Sequence, residues 1–186
     1  MTNSLKSKIA VAVALFAFAI PSQALVIDFD DLADTTAVTT QYPTATFSSD
    51  AGFVNWTTAQ DLGSSLPNFI CTGPDTGGID CLHSTKVDFT DPVNSLSFLA
   101  IGVDDTGSVA SVDVFENGAY VATEAVFGAG DSSTPIFVDL SAYTSVTTVL
   151  IHTITDSAGI GWDDFRFVPE EVATDRSSWS DLKLLY

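Results

Sequence analysis

Hydrophobic and polar residues alternate in short runs along most of the chain, and turn-forming residues punctuate the runs. The stretch Ile160-Gly161-Trp162-Asp163-Asp164-Phe165-Arg166-Phe167-Val168 is the densest of them. Read as a pleated strand, it puts Trp162, Asp164 and Arg166 on one face and Asp163, Phe165 and Phe167 on the other, with the two phenylalanines toward a core. Further strands are predicted over 25–30, 45–48, 53–57, 86–89, 93–101, 110–116, 119–126, 136–140 and 146–154, each rich in β-branched or aromatic residues. Asn117-Gly118 between two of these runs is a tight-hairpin signal, so 110–116 and 119–126 are expected to pair antiparallel. Residues 61–81, rich in Gly, Pro and polar side chains, read as one long loop. No sustained 3.6-residue apolar period follows the N-terminus. The pattern therefore predicts an all-β protein, an antiparallel β-sandwich.

The first 24 residues stand apart. Lys6 and Lys8 precede an apolar run over 9–20, and Pro21-Ser22-Gln23-Ala24 ends in small residues suited to signal peptidase. This is the design of a secretory leader, with an uncleaved anchor as the alternative. No later stretch approaches the ~20 apolar residues of a membrane span. The expected organisation is a signal peptide over 1–24, one β-sandwich domain over 25–168 and a flexible tail over 169–186.

Charge narrows the partners. With 24 acidic and six basic residues the formal net charge is −18, and Lys6 and Lys8 are lost with the leader. Nucleic acid is excluded as a partner, since phosphate binding needs clustered Lys and Arg. The acidity suits divalent cations or solubility alone. The two cysteines, Cys71 and Cys81, form an isolated pair in an exported chain, which predicts a disulfide stapling the long loop.

The order of features, a leader, Ile27-Asp28-Phe29-Asp30-Asp31-Leu32, Ser95-Leu96-Ser97-Phe98 followed by Ala100-Ile101-Gly102, and Gly159 through Phe167, resembles exported β-sandwich proteins of the PEP-CTERM type. The resemblance covers about residues 25–170. It implies a galactose-binding-like jelly roll, the architecture of many carbohydrate-binding modules. The sequence departs from that family at its end. Val168-Pro169-Glu170 is followed by Glu171, with no apolar segment and no basic cluster, so secretion into the extracellular space is expected in place of membrane sorting.

The resemblance also implies a structural calcium ion where the first and last strands converge, with Asp28, Asp30, Asp163 and Asp164 as its ligands. Calcium takes about 6–8 oxygens, and carboxylates gathered without a cation repel one another. The alternative is that these side chains face solvent or cap turns. Asp104-Asp105-Thr106-Gly107 reads as a turn. Tyr42, Trp56 and Tyr120 are the candidates for stacking on sugar rings, though a strand aromatic is also an ordinary core residue. His83 and His152 lie in no catalytic motif and there is no Gly-x-Ser-x-Gly elbow, so no enzyme is expected. Two functions follow as expectations. One is a module that binds polysaccharide or a cell-surface glycan; the other is a surface or matrix protein that self-associates through sheet edges.

Overall fold

A computed structural model describes residues 23–59 and 66–170. The leader lies outside the described residues except for Gln23 and Ala24, as does the tail beyond Glu170. Every regular element among the described residues is a strand: β1 Leu25–Ile27, β2 Ala37–Val38, β3 Ala45–Ser48, β4 Phe53–Ala59, β5 Asn68–Pro74, β6 Thr85–Ile101, β7 Thr106–Glu116, β8 Ala119–Ala129, β9 Ile136–Leu140, β10 Val146–His152 and β11 Gly161–Pro169. All pairings are antiparallel. No helix among the described residues is long and apolar enough to cross a membrane.

The two layers share one strand. The first half of β6 pairs with β3 and β10, and β7 and β8 continue that layer. The second half pairs with β9 and β11, and β5, β4 and β2 continue the other. The corner is Ser95, held at φ 53. Before it Val87 and Phe89 face the core; after it Leu96, Phe98 and Ala100 do, so the inward face moves from odd to even positions. A one-residue irregularity that flips the pleat is how a strand leaves one sheet for another. The pattern predicted two strands here, over 86–89 and 93–101. They are one strand of 17 residues.

The core lies between the layers. Val87, Val112, Val114 and Val149 meet Phe98, Trp162, Phe165 and Leu140, all buried. Phe98 stacks on Phe165 at 4.9 Å and meets Trp162 edge-on at 5.9 Å. Trp162 therefore shares the core with Phe165, contrary to the simple alternation expected of β11. The cause is a bulge: Asp164 sits at φ 50 and the register with β6 slips between Asp163 and Arg166. One extra residue turns Trp162 inward without turning Phe165 outward.

The loop predicted over 61–81 is also corrected. Its middle is β5, inserted between β4 and β11 and buried from Asn68 to Gly73. Its polar residues are satisfied rather than solvated. Asn68 donates to the carbonyls of Phe29 and Leu32 at 3.2 and 2.8 Å, and the Thr72 carbonyl accepts from the N–H groups of Asp80 and Cys81 at 3.1 and 3.0 Å. The segment after β5 thus folds back over it. Gly73 permits this, because a Cβ there would lie 2.0 Å from the Gly78 carbonyl oxygen. Cys71 and Cys81 are joined by a disulfide that fixes the cover to the strand, their Cα atoms 4.9 Å apart. Cys71 is accordingly a strand residue, not a loop residue.

The hairpin signal of Asn117-Gly118 is met by β7 and β8, with φ 50 and φ 79 at the two turn residues.

Candidate functional site

The first and last strands are neighbours. β1 pairs with β11 through Leu25 and Phe167, Val26 and Arg166, and Ile27 and Phe165. One more rung would set Asp28 opposite Asp164. Each of the four predicted metal ligands makes a hydrogen bond or ion pair. The Asp28 carboxylate accepts from the Asp30 N–H at 3.3 Å, and Asp30 accepts from the Asn68 N–H at 2.9 Å. Asp163 is fully buried and accepts from the Asp164 N–H at 2.7 Å. Asp164, also buried, pairs with Arg166 at 3.1 Å.

Among the described residues, the carboxylates close enough to share one ion are Asp104, Asp105 and Asp156, all within 4.8 Å of one another. Asp156 comes from the connection between β10 and β11 and is 1% exposed. Its Oδ2 accepts from the N–H groups of Asp104 and Asp105, both at 3.0 Å, and its Oδ1 from Ala158 at 3.0 Å. Three amides around a buried carboxylate supply the polar contacts that burial demands. The Asp104 carboxyl is raised above the ordinary aspartate value, first by the charge of Asp156. Asp104 and Asp105 lie in the connection between β6 and β7, whereas Thr106 and Gly107, expected in the same turn, begin β7; Asp156, a lone carboxylate in a short connection, carries no sequence signal.

The predicted aromatics lie apart. Tyr42 is half-buried, edge-on to Phe29 at 5.7 Å, and donates its hydroxyl to Asp31 at 2.6 Å. Burial first, then that hydrogen bond and the charge of Asp31, push its pKa far up. Trp56 is half-buried on β4, between β2 and β5, with its indole N–H buried and without a hydrogen-bond partner. Tyr120 is 58% exposed near the start of β8, its ring edge-on to Phe115 at 5.9 Å. A polar chain continues from it: its hydroxyl bonds Thr123, which donates to Asp113, and Asp113 lies 3.3 Å from His152.

Sequence reasoning missed the open edge beside Tyr120. Among the described residues β8 pairs only with β7 and β9 only with β6, so these two strands close neither layer. Between them is a cleft of about 290 Å³, with the buried Val126, Val138 and Leu140 contributing to its lining. Phe127 and Phe137 stand at the cleft 65% and 61% exposed, an unusual position for phenylalanine. Glu124 and Asp139 add carboxylates, and no basic residue is among the described residues that line it. Tyr143, which follows β9, donates its hydroxyl to Glu124 on β8. The Ser141 N–H bonds Asp139 at 2.9 Å and holds that carboxyl below the ordinary aspartate value. The alternation over 136–140 does mark Phe137 as outward, but that both phenylalanines reach one cleft depends on the layers' closure. A second cavity, beside Pro43 and Phe167, has about 60 Å³.

No family model matches the chain, and no curated protein matches it. Solved structures similar to it include the K2 cleaved adhesin domain of Lys-gingipain, at 12% identity and TM-score 0.47, over 79% of this chain and 98% of that one. Another is the N-terminal CBM22-1-CBM22-2 tandem domain of Paenibacillus barcinonensis Xyn10C, at 16% identity and TM-score 0.45, over 88% of this chain and 49% of that one. This chain thus spans about half the length of the tandem. A third is a family 35 carbohydrate-binding module from Clostridium thermocellum, at 9% identity and TM-score 0.41, over 80% of this chain and all of that one.

Proposed function

We propose that the protein is an exported, non-catalytic β-sandwich module that binds polysaccharide or a cell-surface glycan in the cleft between β8 and β9. The observation that carries this reading is the exposure of Phe127 and Phe137 beside Glu124 and Asp139. A sugar presents an apolar ring face and a rim of hydroxyl donors. Aromatic rings suit the first, and carboxylates, which only accept, suit the second. Tyr120, also exposed and on β8, lies seven residues along the strand from Phe127, outside the cleft's lining. Export rests on the leader, and the Cys71–Cys81 disulfide agrees with an oxidising compartment.

Calcium in this reading is structural. Asp104, Asp105 and Asp156 offer one seat for it, and Asp28, Asp30, Asp163 and Asp164, near the closure of the first and last strands, offer another.

The second reading, self-association, is favoured by one feature: among the described residues β8 is an eleven-residue edge strand without Lys, Arg or Pro, with Glu124 its one charged residue. A glycan array with the purified protein separates the two. Retention on any polysaccharide supports the module. Concentration-dependent assembly without retention supports the edge.

A further inference from the structure

Building on the glycan-binding reading of the cleft, we propose that its ligand is an amine-bearing, cationic glycan, a polymer of glucosamine type, in preference to neutral or uronic-acid polysaccharides.

Charge at the cleft has one sign. Glu124 and Asp139 line it on opposite strands, and Asp131 lies in the connection that joins β8 to β9. Both carboxylates outside the Tyr143 bond stay ionised readily. Ser141 lowers Asp139, and the side-chain and backbone hydrogen bonds of Ser133, with Thr134, lower Asp131. The basic residues among those described are Lys86 and Arg166, and both are engaged elsewhere: Lys86 with Asp88 at 2.7 Å and Arg166 with Asp164 at 3.1 Å. Among the described residues nothing positive therefore answers an anionic sugar, and the chain's net charge of −18 repels one.

The acceptors choose further. A carboxylate takes donors only, and an ammonium offers three together with a full positive charge, whereas a hydroxyl offers one without charge. Phe127 and Phe137 can stack on the sugar's apolar face whether or not the amine is acetylated, and a cation over the ring face adds an attraction that acetylation removes. An acetylated amine keeps its ring face and loses the charge. That difference isolates the inference from the reading it rests on.

The test is calorimetric titration of the protein with chitosan oligomers, chitin oligomers of the same length, oligogalacturonate and a lysine oligomer, at a mildly acidic pH and two salt concentrations. Chitosan is expected to bind roughly tenfold tighter than chitin, with the advantage shrinking in salt. Glu124→Gln with Asp139→Asn should remove the advantage, and Asp50→Asn with Asp75→Asn, exposed changes on β3–β4 and post-β5 turns, should leave it. A cooperative melting transition well above the titration temperature establishes that each variant folds. Equal or tighter binding of chitin or oligogalacturonate overturns the inference and leaves the glycan reading standing. So does an equal loss in both double variants, which marks bulk charge as the cause. Tighter binding of the lysine oligomer, displaced by no glycan, overturns it in favour of a basic peptide. Failure of every glycan to bind overturns the reading itself.

Discussion

Tyr143 donates its hydroxyl to Glu124 and so links the segment after β9 to the edge strand β8 of the opposite layer. The bond joins the two layers at one side of the cleft, where no backbone ladder does among the described residues. It raises the Tyr143 pKa to about 12, with burial and the charge of Glu124 adding to the hydrogen bond.

That link sets a pH dependence. Tyr143 titrates higher folded, at about 12, than the ordinary value of 10.0 that it takes unfolded. Its contribution to stability is therefore complete below the unfolded value and is lost as the pH rises through the folded one. Ultraviolet titration of the phenolates should show this group ionising late, and Tyr143→Phe should remove that step. A Tyr143 that ionises at the ordinary value contradicts the bond.

Asp156 is expected to be the most sensitive carboxylate in the loops. Asp156→Ala strands the three amides it now satisfies, including those of Asp104 and Asp105 in the β6–β7 connection. The cost is about 2–4 kcal/mol. A chain of this size loses about 2–4 °C of Tm per kcal/mol, so a fall of roughly 5–15 °C is predicted in a melting curve. A change within about 1 °C means that the two connections are not held together through this side chain.

The disulfide has a measurable share of stability. It closes a loop ten residues long between β5 and its cover. Reduction, or Cys71→Ser with Cys81→Ser, should cost about 2–3 kcal/mol by denaturant titration in the chain-entropy account. Alkylation without reductant followed by mass spectrometry should find neither thiol.

Calcium, if it occupies either carboxylate grouping, stabilises the folded state by about 2.7 kcal/mol at a hundredfold excess over Kd. That predicts a Tm raised by roughly 5–10 °C and lowered again by chelator. Asp105→Ala abolishes the shift if the seat is at Asp156, and Asp28→Ala abolishes it if the seat is near β1. A melting curve indifferent to calcium, starting from metal-free protein, contradicts the ion.

Most strands were legible because their faces alternate. β3 and β9 fall where the pattern sets them, and the hairpin at Asn117-Gly118 follows from turn chemistry. β5 was not legible. Its Asn68, Thr72 and Gly73 look like loop residues, and only the tertiary cover over 75–81 makes them a buried strand. The bulge at Asp164 was hidden for a related reason: a single residue at positive φ leaves composition untouched but reverses which side Trp162 faces. The cleft was the least legible feature. β8 and β9 are each unremarkable, and their shared open edge depends on how β6 bends at Ser95.

The central claim is that the β8–β9 cleft binds glycan through its exposed rings, and one comparison tests it most directly. The glycan that the array selects is titrated into the wild-type protein and into Phe127→Ser with Phe137→Ser, whose side chains are largely outside the core. The account predicts a loss of affinity of about tenfold or more with an unchanged Tm. Undiminished binding by the folded double variant contradicts it.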